Sequence, residues 1–296
     1  MARRCHAVVN PRGGKHQGIA ILEQVRPVFD AAGWDLAISV TGYPGHAREL
    51  ARTLPLDGYH GLCVFGGDGT VHEVVNGLME RGQRSLLPLG LIPTGSANTL
   101  HQHLHCADPL MAARRIVAGR TSRLDVVRVT MGTQVVYSVD LIGWGSIADI
   151  NCRAERWRFL GPSRYTAAAL WQIVLARHRR AKVVLDSRAL EGDFLFVIAC
   201  NAKFAGKELK MAPRAELGDG KLDVVLCRRA SRRQMLRLFA GLFDGSHVTL
   251  DCVEYHQVQS LAIESAGDEP LDLDGEVEGH TPFLAEVLAG AMEAFA

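Results

Sequence analysis

The stretch 63-CVFGGDGTVHEVVNGLM-79 decides how the first part of the chain is read. Apolar residues Cys63, Val64 and Phe65 run into two glycines, an aspartate and a third glycine, and a helical pattern starts at once. Glycines at such a turn let another group approach the backbone closely. The aspartate among them, Asp68, points to a partner that is charged, carries a metal or must lose a proton, because a carboxylate at a buried strand end is costly without a task or a partner.

Working outward, the first 120 residues alternate strand-like and helix-like segments. "CHAVVN", "WDLAISV", "GLCVF" and "PLGLI" read as strands. Between and after them, Ile19, Leu22, Val25 and Phe29, then "GHARELARTL", "TVHEVVNGLMER", "ANTLHQHL" and "DPLMAARRIVAG" read as helices. Alternation with short connections implies a parallel sheet covered by helices. After about Leu124 the texture changes to β-branched runs such as "LDVVRVT", "TQVVYSVDLI", "DFLFVIACN", "KLDVVLC", "VTLDCVEY" and "QSLAIES". Helical patterns interrupt them near Ala167–Ala176 and Arg232–Phe243. The expected fold class is therefore α/β: a parallel-sheet domain over residues 1–123, then a mostly antiparallel β-sandwich domain over 124–281, with the tail 282–296 free to return to the first.

Composition narrows the function classes. Lys plus Arg (33) nearly equals Asp plus Glu (32), so no global field points to nucleic acid as a partner. Seven scattered cysteines, none in CxxC spacing, suit a reducing compartment rather than a disulfide framework. No apolar h-region follows "MARR", and "YTAAALWQIVLA" (165–176) is too short to span a bilayer. The expectation is a cytoplasmic protein that can rest on a membrane surface.

Four small-residue turns stand out: "NPRGG" (10–14), "GGDGT" (66–70), "PTGSAN" (93–98) and "DGE" (274–276). The first three each follow an expected parallel strand, so they converge at one edge of the sheet, where backbone N–H groups and helix N-termini suit a polyphosphate. Neither GxxxxGK[ST] nor GxGxxG occurs at any of them, which argues against a P-loop or a dinucleotide Rossmann site.

Together, GGDGT, the helix "VHEVVNGLM", "PLGLIPTGSAN" and "LDLDGE" resemble the superfamily of diacylglycerol, sphingosine and ceramide kinases, over nearly the whole chain. "HEVVNGLMER" and "GWGSIADINCRAERWRFLGPSRY" (143–165) resemble its sphingosine and ceramide kinase branch. The resemblance implies an NAD kinase-like and phosphofructokinase-like first domain, and ATP and Mg²⁺ as cofactors. It places Asn10, Thr41, Gly66, Gly67, Gly69, Thr70, Glu73, Gly95, Ser96 and Asn98 at the nucleotide. Arg158 and Arg164 would reach its phosphates, and Asp274 belongs to the same set. It makes Asp68 the carboxylate that activates the lipid hydroxyl, with Glu276 as the alternative base; which of the two organises Mg²⁺ stays open. Asp219, in "AELGDGKLDVV" (215–225), matches the ligand of a structural Mg²⁺, against the plainer reading of an Asp-Gly β-turn.

The chemistry is coherent. A lipid alcohol is a poor nucleophile until a carboxylate accepts its proton, and phosphoryl transfer otherwise needs alignment and charge neutralisation. His101 and His105 share a helix face but lack a third ligand, so the segment reads as part of the site wall rather than a metal centre. Sphingosine kinases carry an acid where this chain has Asn151; Asp149 is the other position that can meet the lipid's head. An amide suits hydroxyls and carbonyls, whereas a carboxylate suits an ammonium group. This ranks a neutral lipid, ceramide or diacylglycerol, ahead of a sphingoid base, then NAD, then a non-catalytic lipid-binding scaffold. Arginines among Trp157, Phe159, Tyr165 and Trp171, and again in "RRASRRQMLRLFAGLF" (228–243), fit an anionic membrane surface. A homodimer is compatible with this reading.

Overall fold

In a computed structural model, residues 3–82, 87–95, 97–104, 106–206 and 209–296 are described. The chain divides into two compact units, one of Met1–Val126, Leu217–Asp219 and Ala289–Ala296, the other of Val127–Glu216 and Gly220–Leu288.

In the first unit, β1 (Arg3–Val9), β2 (Trp34–Val40), β3 (Gly61–Gly66) and β4 (Leu89–Pro93) form a parallel sheet in the order β2-β1-β3-β4. The connections carry α1 (Gly13–His16), α2 (Gly18–Ala31), α3 (His46–Thr53) and α4 (Asp68–Met79); α5 (Thr99–His103) and α6 (Pro109–Ala118) follow β4. Because both faces of the sheet are covered, β3 and β4 are buried at every position and read as continuous apolar runs. Helix signals behave as expected at α6. Asp108 caps it, accepting from Met111 N at 2.8 Å, Pro109 opens it, and Gly119 ends it in the left-handed region.

The second unit is antiparallel. The strand β5 (Thr121–Met131) leads into it from the first, and β6 (Gln134–Ser138), β7 (Leu141–Gly145), β8 (Arg179–Leu185), β9 (Arg188–Phe194), β10 (Phe196–Cys200) and β11 (Leu222–Cys227) follow. After them come β12 (Val253–Val258), β13 (Ser260–Ser265), β14 (Pro270–Leu273), β15 (Glu276–His280) and β16 (Phe283–Phe295). One sheet runs β12-β11-β10-β7-β14-β15; β8 pairs β9 and β13, and β13 pairs β16. Trp144, Phe194, Leu226 and Ile263 belong to the core shared by the two layers. The other face of the first sheet packs on α7 (Ser146–Arg156), α8 (Arg164–Leu175) and α9 (Arg232–Gly241) through Phe196, Ile198, Ile173, Met235 and Leu238. A capping box between Ser231 and Gln234 opens α9.

Two segments depart from the sequence reading, and a third received no element in it. "TQVVYSVDLI" is not one strand: it breaks at Val139 and Asp140, whose amides turn onto the carboxylate of Asp274. In "VTLDCVEY" the strand starts only at Val253, after a 3₁₀ turn over Ser246–Thr249. "FLAEVLAGAMEAF", which shows no strand alternation, is β16, and its last residues join the first unit. There Ala294 pairs Leu89, and Phe295 is buried edge-on to Trp34 with ring centroids 6.3 Å apart. Gly61 leaves the room for that ring, since a Cβ on it would lie 2.6 Å from Phe295 Cε2.

The break between β6 and β7 rests on one side chain. Asp274 accepts from Ser138 Oγ (2.6 Å), Asp140 N (2.9 Å), Leu141 N (3.1 Å) and Val139 N (3.1 Å). Replacing it, as Asp274→Ala, strands these buried donors. The expected loss of unfolding free energy in urea titration is about 3 kcal/mol.

Candidate active site

The three glycine-bearing turns of the first unit meet at the carboxyl ends of β1, β3 and β4. Asn10 N donates to Phe65 O at 2.9 Å, and Thr94 N donates to Gly66 O at 3.1 Å. The second and third turns touch through their glycines: a Cβ on Gly95 would sit 2.4 Å from Gly67 Cα. A Cβ on Gly66 would strike Thr70 at 2.3 Å. Part of the glycine demand is therefore internal packing, a reason independent of any ligand.

Side chains then lock the loops. Asn10 donates through Nδ2 to Thr70 Oγ1 (2.9 Å) and accepts from Arg12 N (2.9 Å). Asn98, in the left-handed region with φ 54°, closes its loop onto Gly95, accepting from Gly95 N (3.0 Å) and donating to Gly95 O (2.9 Å). Thr41 follows β2 and donates its amide to Val9 O. Glu73 accepts from Gly45 N (2.9 Å) and Ala47 N (3.1 Å), so its carboxylate holds the start of α3 where the resemblance implied a nucleotide contact. Gly69 lies in the first turn of α4.

Asp68 is the first residue of α4, whose N-terminus carries no side-chain cap, and is half-buried. Its Oδ1 accepts from Thr99 N at 2.7 Å, so the carboxylate is aimed by the first amide of α5. An uncapped helix start beside close-packed glycine turns fits a polyphosphate, whose charge the amides and the helix dipole favour. Ser96 and His105 lie outside the described residues. His101 is fully buried without a hydrogen-bond partner among the described residues, and burial lowers its pKa to about 4. Among the described residues no three His, Cys, Asp or Glu side chains are gathered to hold a metal. Asp219 sits exposed in a turn between Gly218 and Gly220, both at positive φ.

The second unit assembles the other candidates. Asp149 and Asn151 share α7, but Asp149 is neutralised: Arg179 Nη2 donates to both its oxygens at 2.8 Å, and Gln172 Nε2 to one at 2.7 Å. Arg179, nearly inaccessible, also meets Glu269 at 2.6 Å. Burial raises the Glu269 carboxyl against the opposing pull of Arg179. Asn151 Nδ2 donates to Gly275 O at 2.6 Å while its buried Oδ1 has no partner among the described residues. Arg158 and Arg164 both lie on the Glu155 carboxylate, at 2.8 Å for Arg158 Nε and 3.1 Å for Arg164 Nη2. Asp274 is engaged internally by the corner between β6 and β7, and Glu276 is exposed at the start of β15.

Beside these lies a cavity of about 70 Å³, lined by Ile147, Ile150, Ile173, Phe196, Met235 and Leu238, with Ser146 and Gln172 at its polar end. Sequence reasoning missed what Arg179, Gln172 and Glu269 do, because the network that joins them to Asp149 links positions far apart in the chain. It also passed over Asp272, although an aspartate inside "LDL" was a signal.

The chain matches the diacylglycerol kinase catalytic domain over residues 4–129. It matches the YegS C-terminal NAD kinase beta sandwich-like domain over residues 140–296, more than half its length. It is 30% identical to sphingosine kinase 1 of Arabidopsis thaliana, over 91% of this chain and 67% of that one. The chain belongs to the diacylglycerol and sphingosine kinase family. This lipid kinase is also 27% identical to a diacylglycerol kinase of Staphylococcus carnosus, over 95% of this chain and 91% of the relative. Its fold is that of a diacylglycerol kinase from Bacillus anthracis (TM-score 0.77, 22% identity, 99% and 96% of the two chains). An NAD kinase from Archaeoglobus fulgidus, solved in complex with ATP, shares the fold more distantly (TM-score 0.52, 12% identity, 99% and 93%).

Asp272 gives the kinase a pH signature. Burial, reinforced by the charges of Asp274 and Glu276, raises its carboxyl to about 7 although Gly275 N and Asn151 favour the charged form. The folded pKa thus exceeds the unfolded one, so this contribution to stability is full below about pH 4 and is lost as pH rises through 7. Asp272→Asn removes that loss. Relative to wild type, the variant should gain on the order of 4 kcal/mol between pH 4 and pH 8 in denaturant titrations.

Proposed function

We propose that this lipid kinase transfers the γ-phosphate of ATP to the hydroxyl of a neutral lipid, ceramide or diacylglycerol. The observation that carries the choice is the Asp149–Arg179 pair. With Asp149 neutralised and an amide at Asn151, these two head-group candidates offer no uncompensated carboxylate to an ammonium group. A sphingoid base ranks second, favoured by the name of the Arabidopsis relative.

In this reading the turns around Gly66, Gly67, Gly69, Thr70, Gly95 and Asn98 cradle the phosphates through backbone amides, Asn10 and Asn98 keeping the loops in shape. Arg158 and Arg164 neutralise phosphate charge. The lipid oxygen forms its bond to phosphorus as the bond to the ADP oxygen breaks, and Asp68 accepts the hydroxyl proton. Glu276 is the alternative acceptor. Mg²⁺ would supply charge neutralisation on the phosphates, held through its water by whichever of Asp68 and Glu276 does not take the proton. The apolar cavity fits acyl carbon.

The membrane surface belongs to the same proposal. Among the described residues no helix is long and apolar enough to cross a bilayer. Yet α8 exposes Leu170, Trp171, Val174 and Leu175, and Phe159 is 79% exposed. Arg153 stacks on Trp157 and Trp171. An apolar helix face bordered by arginines suits an anionic surface. Flotation with phosphatidylserine vesicles should recover the wild-type chain and lose Phe159→Ala/Trp171→Ala; equal recovery of both would sink the docking face.

The reaction is tested by labelled γ-phosphate transfer to ceramide, diacylglycerol, sphingosine and NAD. A neutral lipid should take label, and Asp68→Asn should lower kcat about 100-fold or more. Label on sphingosine alone would overturn the neutral-lipid reading, and label on NAD the lipid reading.

A further inference from the structure

We propose that Asn151 and Asp272 are positioning residues that grip the Asp274–Gly275 turn from both sides and so set the direction of Glu276. This rests on the lipid-kinase reading only in giving Glu276 a part in turnover.

The turn joining β14 to β15 is a two-residue hairpin. Its central residues, Asp274 and Gly275, have φ of 55° and 91°, the positive values a tight right-twisted hairpin needs. Here three side chains act on two residues. Asp272 Oδ1 accepts from Gly275 N at 2.9 Å, and Asn151 Nδ2 donates to Gly275 O at 2.6 Å, so both backbone groups of the glycine are occupied. The Asp274 carboxylate is anchored on the amides of residues 139–141. Gly275 itself is exposed, so water would satisfy its amide and carbonyl equally well. Gly275's own hydrogen-bond demand therefore does not require the two buried polar side chains, which also bond each other, to be directed at it.

The cost of the arrangement supports a role beyond stability. Asp272 is buried close to Asp274 and Glu276, and it packs so tightly on β7 that a Cβ on Gly143 would lie 3.3 Å from its own Cβ. Asn151 keeps a buried Oδ1 without a partner among the described residues. A turn maintained under these conditions fixes where the next residue points. That residue is Glu276, paired with Leu273 in the hairpin register. The grip also ties α7, which carries Asp149 and Asn151, directly to the tip that carries Glu276.

The test combines amide hydrogen exchange on peptides spanning 274–278 with steady-state phosphate transfer. Asn151→Ala and Asp272→Ala should each speed exchange at Gly275–Glu276 about tenfold, whereas Asp272→Asn, which keeps an acceptor oxygen, should stay near wild type. Either alanine variant suffices if the other does not fold. In turnover, Asn151→Ala should lower kcat about tenfold or more with the lipid KM little changed. Asn151→Ala/Glu276→Gln should be no slower than Glu276→Gln, because both changes act through one side chain. Unchanged exchange would overturn the grip. A raised lipid KM with intact kcat would make Asn151 a substrate contact, and additive losses would break its link to Glu276. If the wild type labels no lipid, the lipid-kinase reading fails while the exchange result still decides the grip.

Discussion

The carboxylate of Asp274 draws three successive amides and a hydroxyl toward itself from residues 138–141, converting what would be one long strand into β6, a corner and β7. An ionised carboxylate meeting several N–H groups in a buried corner gains charge-assisted hydrogen bonds that neutral groups could not supply. Without the corner β7 would not begin at Leu141, and α7, which starts directly after β7 at Ser146, would not be launched where it is. Candidate head-group residues, the buried Arg179 and the apolar cavity all depend on that launch.

The first unit solves a different problem, packing three chain reversals against one another. Glycine serves by absence. The Gly67–Gly95 approach leaves no volume for a methyl group, and the Asn98 side chain completes its own loop instead of reaching outward. Thr99 and Asp68 show the same economy of parts: one hydrogen bond starts a five-residue helix and orients a carboxylate. Several residues that the family resemblance groups as ligand contacts, Asn10, Glu73 and Asn98 among them, thus also shape the backbone.

Much of this was legible in the sequence, for identifiable reasons. The parallel strands could be read because burial on both faces writes continuous apolar runs, and α6 because its cap, its proline and its terminal glycine are all local signals. Asp68 could be singled out as a candidate because an aspartate between glycines at a strand end is unusual, whereas its bond to the first amide of α5 could not be read. What escaped was non-local. Arg179 gains its meaning from Asp149 and Glu269, which lie 30 and 90 residues away. The bonds that Glu73 accepts from Gly45 N and Ala47 N at the start of α3 likewise could not be read locally. The strand β16 was hidden by alanine-rich composition, which carries no alternation and favours helix on propensity alone.

That last strand has a consequence for how the protein is made. Phe295 and Ala294 belong to the interior of the first unit, against Trp34, Gly61 and Leu89, although nearly the whole second unit is translated in between. A ribosome delivers the parallel strands of the first unit early but withholds the piece that packs against them until the second unit has been made. The N-terminal unit therefore lacks part of its core until the second unit has been translated. Completion of the first unit's core is thereby tied to the making of the second.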